Sequence, residues 1–486
     1  MQRLNFGKNI SVRPAWFYEP RNEQEVLQLL DKHRGERIRV IGRLHSWSRI
    51  IECDEVLIDL RHLNQVEPMS DGETKSVQVG GGCQIKRLLH ELEQQKRWTL
   101  PSVGFISEQT VAGAISTGTH GSGKHSLSHY AISVRVARYD PKTGQACILE
   151  IDNGDALRAV RCSLGCLGVI LSVRMQCRET YSVEEHFHEY RQLSEVVDAE
   201  LRYPLQQFYL VPWRWTYFVQ HRREVDAPRS ATGWIYLWYR FLALDIALHL
   251  FILLMVRWLR FRQVLRSAYR WLIPVFVIQD WRTVNPSSAQ LVMEHELFSH
   301  LEIELFVQRS QLEAAMSFVT QTLMVAGHER KEARPCDPRF EVQLTQAGCG
   351  NELIAITGIY CHHYPICVRK ILLDDTLISM ASLGIDRGNG NNSHTTEEPW
   401  YSITLTNFMR RDQRQAFVQV VTFMAKNMAK LFDARPHWGK LCPLTAGEMR
   451  ELFPNLERFQ QQCDIADPNG QFRNDWTEAV VGRPVI

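Results

Sequence analysis

Residues 114–123 read AISTGTHGSG, in which three glycines and four hydroxyl residues surround one histidine, His120. The glycine-rich part follows a short apolar stretch at 110–115. Glycine permits positive φ angles and lets backbone N–H groups come close to a bound anion. Because the whole chain holds only 28 glycines, this local density predicts backbone wrapped around a phosphate-bearing ligand, which points to a nucleotide-type cofactor.

One nucleotide-binding pattern fits this run only in part. Residues 118–124 satisfy G-x-x-x-x-G-K, the first part of a P-loop. His125 then stands where a Ser or Thr hydroxyl should hold Mg²⁺, and no apolar strand ending in Asp follows as a metal-binding partner. A P-loop nucleotide hydrolase is therefore kept as the weaker alternative.

A second turn upstream favours a different cofactor. Residues 37–50 read RIRVIGRLHSWSRI, in which a β-prone apolar run ends at Gly42 and a short polar turn presents His45. An isolated histidine in a loop is usually an ordinary surface residue. This one follows a predicted strand directly and has the hydroxyls of Ser46 and Ser48 beside it.

Together with residues 79–95 (VGGGCQIKRLLHELEQQ), these two turns resemble the flavin domain of the vanillyl-alcohol-oxidase superfamily. The likeness is greatest to the aldonolactone and alditol oxidases of the gulonolactone, arabinonolactone and galactonolactone types. Residues 435–440 (RPHWGK) and 467–474 (DPNGQFRN) match signatures of the same oxidases in the expected order. The resemblance implies an α+β fold with a two-lobed, PCMH-type FAD-binding domain and a substrate domain whose antiparallel sheet is covered by helices.

The length of 486 residues predicts two or more domains. We expect an FAD-binding domain at 1–180, with lobes at about 1–65 and 75–180, and a substrate domain at 181–486 whose HWGK segment returns to the flavin. The predicted strands of the substrate domain are 180–188, 301–307, 340–344, 353–360 and 401–406. Helices are predicted at 311–324 and 414–431.

Composition excludes some functions and leaves others open. A net charge of +2 gives no electrostatic case for nucleic-acid binding. Twelve cysteines without framework spacing, and an N-terminus lacking the apolar core of a secretory signal, predict reduced thiols and an intracellular protein, cytoplasmic or peripherally membrane-associated. The Cys and His groupings lack zinc-finger spacing, so no metal site is expected.

An apolar insertion at about 233–280 departs from the family pattern. Residues 241–256 contain only two polar side chains, Asp245 and His249. As a helix this stretch would be about 24 Å long, short of the ~30 Å hydrocarbon thickness of a bilayer. Arginines interleaved with tryptophans follow it, so 241–271 predicts a monotopic membrane anchor lying in the interface, with a buried helical hairpin as the alternative.

The resemblance implies FAD, bonded covalently through His45. A structural role for His45 remains the alternative, and His120 is either a flavin contact or a core hydrogen-bonding residue. The implied cofactor contacts are Gly42, Arg43, Leu44 and Ser46 on the first lobe and Thr110, Gly113, Ala114, Gly118, Thr119, His120 and Gly121 on the second.

For the substrate, the family uses a Glu-x-Arg pair on one strand, a hydroxyl residue on the next strand and the lysine of HWGK. Here the resemblance assigns the pair to Glu341 and Gln343, with glutamine in place of the arginine. The hydroxyl role falls to Thr404. In the HWGK segment Lys440 stabilises developing charge, and His437 contacts the flavin or orients the substrate. Glu341 could instead be an ordinary salt-bridge partner, and HWGK a packed turn.

These assignments predict an FAD-dependent oxidoreductase that oxidises the CH–OH group of a sugar-1,4-lactone or polyol. A hydride passes to the flavin, and oxygen or another acceptor then takes the electrons. Three alternatives remain open: a membrane-associated flavin dehydrogenase of a lipid-linked sugar, a non-catalytic flavin binder suggested by Gln343, and the P-loop hydrolase.

Overall fold

The computed structural model describes residues 2–72, 74–259, 262–293, 297–328, 337–384 and 398–482. A small parallel sheet forms the first part of the fold, with Val56–Asp59 between Trp16–Tyr18 and Ile38–Ile41. Helix Glu23–Lys32 begins where the Asn22 side chain accepts the N–H of Glu25. A two-stranded ribbon, Arg3–Leu4 with Ser11–Val12, precedes this sheet.

A five-stranded antiparallel sheet follows. Its strand order is Ala146–Ile151, Ala131–Tyr139, Val169–Gln176, Thr74–Gly80 and Val66–Asp71. Helices Ile85–Lys96, Val111–Ser116 and Gly154–Val160 belong to this part, and Trp98–Thr99 pairs with Arg178–Glu179.

The third sheet is antiparallel and has eight strands. Its order is Thr283–Pro286, Ser182–Tyr190, Thr216–Val225, Gln207–Val211, Ile366–Ile371, Trp400–Asn407, Leu301–Gln308 and Arg435–Pro436. Helices Leu312–Gly327 and Gln415–Phe432 pack on it, and Pro338–Ala347 and Gly350–Ile356 pack on them. Shorter helices are Leu193–Asp198 and Ser287–Gln290. The α+β, two-lobed architecture with a separate antiparallel sheet confirms the predicted fold class.

Two predicted strands of the third sheet are wrong. Residues 340–344 lie in helix Pro338–Ala347, and most of 353–360 lies in helix Gly350–Ile356 or the turn after it. Asp337 caps the first of these helices through the N–H of Arg339, and Gly348 ends it with φ +67°. Such start and stop signals outweigh a short apolar run, which by itself does not distinguish a strand from a helix.

The last part of the chain, with helices Ala446–Leu452, Leu456–Ala466 and Asp475–Val481, returns to the first sheet. The N–H of Ile38 donates to Gln471 O at 2.7 Å. The side chain of Asn474 caps the last helix and donates to the carbonyls of Arg49, Ile50 and Glu52 at 2.9–3.2 Å. The DPNGQFRN signature therefore fixes the short turn Arg49–Ile51, which follows the segment that carries His45.

The insertion forms a continuous helix, Gly233–Arg257, followed by helix Arg262–Trp271 and the turn Ile273–Phe276. Within the described residues it is the one helix whose length and composition would allow it to cross a membrane. Only 22% of its most apolar 18-residue window is buried. A fully buried hairpin is therefore the wrong interpretation of this segment.

Candidate active site

A cavity of about 370 Å³ lies where the two lobes and the large sheet meet. The turns at Gly42 and at Thr110 both line it. These two turns touch, because a Cβ atom added to Gly42 would overlap Thr110 Oγ1. Arg43 also reaches Glu108 across the gap, at 3.7 Å. The two glycine-bearing turns of the sequence thus close on one cavity.

The predicted cofactor residues divide into two groups. The cavity is lined by Gly42, Arg43, Leu44, His45, Ser46, Thr110, Gly113, Thr119 and His120. Ala114, Gly118 and Gly121 lie behind this wall. Ala114 is fully buried, a Cβ on Gly118 would face Met380, and a Cβ on Gly121 would collide with the carbonyl oxygen of Val103. Their role is to let the glycine-rich turn pack closely.

The cavity wall fits a dinucleotide. Six of its residues are glycines, and at three of them, Gly42, Gly81 and Gly168, an added Cβ would collide with neighbouring protein atoms, so the wall can pack this closely only with glycine there. The other three are Gly113, Gly165 and Gly439. Arg39 also lines it, with its guanidinium donating to the carbonyls of Ile50 at 2.9 Å and Leu164 at 2.7 Å. A buried cation bonded to neutral carbonyls complements an anionic group such as a pyrophosphate.

His45 is held at the cavity by its neighbours. Its ring stacks on Phe6 with centroids 4.9 Å apart. Leu44, just before it, has φ +58°, a region that is uncommon for residues other than glycine. The turn persists because Phe6 N donates to Leu44 O and Trp47 N donates to Gly439 O, both at 2.8 Å. This is the kind of over-determined backbone that is found at functional sites.

The HWGK segment is fixed against strand Leu301–Gln308. The N–H of His437 donates to Glu304 O at 2.9 Å, and that of Leu441 donates to Glu302 O at 3.0 Å. Trp438 is fully buried and anchors the segment, whereas His437, Gly439 and Lys440 line the cavity. This register sets His437 beside Glu304 and Lys440 beside Glu302.

Lys440 is paired. Its ammonium group bonds the carboxylate of Glu302 and lies 4.1 Å from the centroid of the Trp47 ring. Burial opposes ionisation of Glu302, but Lys440 and His300 outweigh it and hold the pKa of Glu302 at about 2. Glu302 therefore stays ionised, and Lys440 faces a carboxylate at the cavity wall instead of standing alone.

Glu304 forms the centre of a second buried cluster. Its Oε1 accepts the hydroxyl of Thr404 at 3.0 Å and lies 3.3 Å from His120 Nε2. Burial would raise the pKa of Glu304, but the neighbouring His120 outweighs it and holds that pKa well below its usual range. His120 Nδ1 lies 3.0 Å from Gly121 O and donates to it.

His437 is neutral. Burial lowers its pKa to about 3, and its Nδ1 accepts the N–H of Gly439 at 2.9 Å, so its proton is on Nε2. Among the described residues, His120, Glu304 and His437 bring three potential metal ligands within 4.8 Å of one another. Each imidazole also bonds the backbone through Nδ1, His437 with the N–H of Gly439 and His120 with the carbonyl oxygen of Gly121, so the trio is part of a hydrogen-bonded cluster.

The predicted pair Glu341 and Gln343 was assigned to a strand, and this assignment is wrong. Both lie on helix Pro338–Ala347, where side chains at i and i+2 point about 200° apart, so the argument from strand alternation fails. Gln343 is not among the described residues that line the cavity, and the side chain of Glu341 lies outside the described part. The alternative of a non-catalytic flavin binder, which depended on Gln343, loses its support.

The large sheet instead brings two carboxylates to the cavity, Glu302 and Glu304, with Arg369 on strand Ile366–Ile371 as a cation. Thr404 lines the cavity as expected, on the strand between them. The signal was present in residues 301–307, LEIELFV, where two carboxylates two positions apart interrupt an apolar strand. Strand alternation puts both carboxylates on one face of the sheet. Because carboxylates are rarely buried unless they are paired, two of them on a buried strand indicate a polar site.

The polarity of the cavity changes across the sheet. Strands Leu301–Gln308 and Trp400–Asn407 contribute carboxylates and hydroxyls, whereas strands Gln207–Val211 and Thr216–Val225 contribute Tyr209, Val211, Phe218 and the amide of Gln220. The insertion packs at the second end. Its contributions to the lining are the apolar Leu244, Leu248, Ile273 and Val277 and the polar Arg240, Asp245 and His249.

Comparisons with known proteins agree with this geometry. A family model described as FAD binding domain matches residues 14–143, and one described as D-arabinono-1,4-lactone oxidase matches residues 173–480. The chain belongs to the D-arabinono-1,4-lactone oxidase family. It is an FAD-dependent oxidoreductase. These matches confirm the family and the cofactor expected from the sequence, and they exclude a P-loop nucleotide hydrolase. Lys124, the lysine of the P-loop-like run at 118–124, forms an ion pair with Glu224 at 2.8 Å.

Several relatives match nearly the whole chain, and two of them differ in their named substrate. A long-chain alcohol oxidase from an uncultured marine euryarchaeote is 50% identical, covering 99% of this chain and 97% of the relative. The L-gulonolactone oxidase of Mus musculus is 26% identical, covering 99% and 98%. Among solved structures, the cholesterol oxidase of Brevibacterium sterolicum aligns over 99% of this chain and 96% of its own with TM-score 0.70 and 14% identity, a likeness of fold alone.

Proposed function

We propose that this member of the family oxidises the primary CH–OH group of apolar, long-chain alcohols. The observation that carries the proposal is the lining contributed by the insertion, in which Leu244, Leu248, Ile273 and Val277 face the cavity. The relative at 50% identity, named a long-chain alcohol oxidase, supports the same substrate class. Each CH₂ group buried against such a wall contributes about 0.8 kcal/mol.

The polar end supplies the chemistry. Bound FAD supplies the acceptor for the hydride of the carbinol carbon. Glu304 accepts the hydroxyl proton: its Oε1 is engaged by Thr404 and His120, which leaves Oε2 for the substrate. The Nε2–H of His437 donates to the substrate oxygen and orients it. Lys440 and Glu302 form a fixed charge pair beside this group.

We also propose that His45 bonds the ring methyl of FAD covalently. Its position on the cavity wall, and the strained turn that holds it there, support this. The visible spectrum of the acid-precipitated protein tests it. Native protein is expected to keep its yellow colour in the pellet, and His45→Ala is expected to release the flavin to the supernatant. Release by both proteins would contradict the bond.

Oxidation of a sugar-1,4-lactone or polyol is the second candidate. The family model that matches residues 173–480 and the hydrophilic end at Arg369, Thr404 and Thr406 favour it. We propose oxygen as the electron acceptor, in keeping with the relatives named oxidases. If peroxide does not form while an artificial dye is reduced, a dehydrogenase, such as one acting on a lipid-linked sugar, would be favoured instead.

Chain length separates the two substrates. For a long-chain alcohol oxidase, kcat/KM for 1-alkanols should rise by up to about fourfold per added CH₂, from 1-butanol until the cavity is full. Gulono- and arabinono-1,4-lactones should then be poor substrates. A lactone or polyol oxidase would show the opposite order and no dependence on alkyl length.

A further inference from the structure

We propose that the outer face of the insertion docks on an anionic lipid bilayer and takes the alcohol substrate directly from it. We call this outer face of residues 234–278 the docking face. The docking itself does not depend on the reaction, whereas the delivery of substrate rests on the proposed function. Four observations carry the proposal.

Exposed apolar side chains are concentrated on this face. Twelve of the 23 exposed large hydrophobic side chains among the described residues lie between 234 and 278. Trp234, Trp238 and Leu242 follow one another at four-residue spacing, which sets them along one side of a helix. Trp271 and Val275, 67% and 77% exposed, extend the patch past the second helix. Patches of this size on a soluble surface mark interaction sites.

The opposite side of the same helix is tied to the protein. Tyr236 is fully buried and donates to Glu185 at 2.6 Å, and Arg240 donates to Gln290 O at 2.8 Å. Leu248 and Ile252 pack in a buried cluster with Val211 and Phe218 of the large sheet. A helix with one side held this way cannot be surrounded by lipid, so it lies in the interface instead of crossing it.

The charge around the face is positive. Among the described residues of 233–278 the one carboxylate is Asp245, and it lines the cavity. Arg270 is exposed beside Trp271, and Arg257 lies near Arg410, which is exposed together with Arg411. Such cations attract the headgroups of acidic phospholipids, at about 1 kcal/mol each near the surface. Aromatic side chains with an arginine rim suit a bilayer better than an aqueous partner surface.

The cavity lies directly beneath this face. Leu242 is 52% exposed, and Leu244 two positions later lines the cavity; Leu248 lines it and Leu250 is 53% exposed. One helix, about 10 Å across, therefore separates the bilayer from the alkyl end of the cavity. A long-chain alcohol is concentrated in lipid, so a docked enzyme meets its substrate where the substrate dissolves.

Vesicle sedimentation with the full-length flavoprotein tests the docking. Wild type should sediment with vesicles of phosphatidylcholine and phosphatidylglycerol, and at least tenfold less with phosphatidylcholine alone. The double variant Trp238→Ser/Leu242→Ser should lose most of the binding. The control Leu201→Ser/Ile465→Ser, which removes two exposed apolar side chains elsewhere, should bind as wild type does. Wild type remaining in the supernatant, or equal loss in both variants, would overturn the proposal.

A second copy of the chain is the other occupant to test. Size-exclusion chromatography without lipid should give the same elution volume for wild type and for Trp238→Ser/Leu242→Ser. A wild-type dimer that becomes monomeric in this variant, without vesicle binding, would overturn the bilayer as the occupant.

Rates with a soluble and with a membrane-embedded alcohol distinguish three things: docking on the bilayer, delivery of substrate from it, and the oxidation itself. Trp238→Ser/Leu242→Ser should oxidise soluble 1-butanol at the wild-type rate and lose at least fivefold with 1-dodecanol embedded in anionic vesicles. Equal rates for wild type and variant with embedded substrate would overturn delivery. Vesicle binding by a wild type that oxidises neither alcohol would refute the proposed function and leave docking supported.

Discussion

The two ends of the cavity are built by different means. At one end, Glu302, Glu304 and Thr404 project from strands whose register fixes them, and backbone hydrogen bonds from 437–441 fix the partners beside them. At the other end, the wall comes from a helix whose start is held by hydrogen bonds of Tyr236 and Arg240 and whose Leu248 and Ile252 pack on the sheet through apolar contacts. The first end lines the cavity with groups whose directional bonds set a reaction geometry. The second lines it largely with apolar side chains that set a length and a polarity.

Removing the carboxylate at the polar end should have the largest effect. Glu304→Gln is expected to lower kcat by about 10²–10⁴-fold, because the amide cannot accept the hydroxyl proton. The measurement is the initial rate with 1-octanol under saturating oxygen. Glu302→Gln is the matched control, two residues along the same strand, and should stay within about tenfold of wild type. Equal losses of kcat in both variants would mean that the negative charge at the polar end matters, and would contradict a specific role of Glu304 as proton acceptor.

Changing the apolar end should alter selectivity and leave the chemistry intact. Leu244→Asn is expected to lower kcat/KM for 1-octanol by about 10- to 100-fold and to change that for 1-butanol less than twofold, because only the longer chain reaches this wall. Leu250→Asn, on the outer side of the same helix, should leave both values unchanged in vesicle-free buffer. Parallel losses for the two alcohols would mean that Leu244 contacts the reacting end.

The one carboxylate among the apolar side chains of the insertion should give a small pH effect. Burial raises the pKa of Asp245 to about 6, against the opposing charge of Arg240. Below this pH the side chain is neutral and an alkyl chain packs beside it more easily, so KM for 1-octanol should rise by about three- to tenfold as pH increases from 5 to 7. Asp245→Asn should remove this rise. A rise that persists in the variant would place the titrating group at the polar end.

Part of the site was predictable because its residues belong to contiguous motifs. Gly42 to Ser46, Thr110 to His120 and the HWGK segment each carry their turn chemistry within a few residues, and the structure brings all three to one cavity. The pair Glu341 and Gln343 was not predictable in this way. A carboxylate two positions from a polar residue occurs on helices and strands alike, and here Asp337 and Gly348 decide for the helix.

The amino-acid sequence by itself determined the two glycine-bearing turns, the α+β class and the apolar character of the insertion. Each of these depends on residue types that are close together along the chain. Only the tertiary structure decided that Glu302, Glu304 and Arg369 line the cavity between the turns and the large sheet, and that the insertion forms its far wall. Which side of a strand faces inward depends on its pairing register, and that register is set by partners up to a hundred residues or more away.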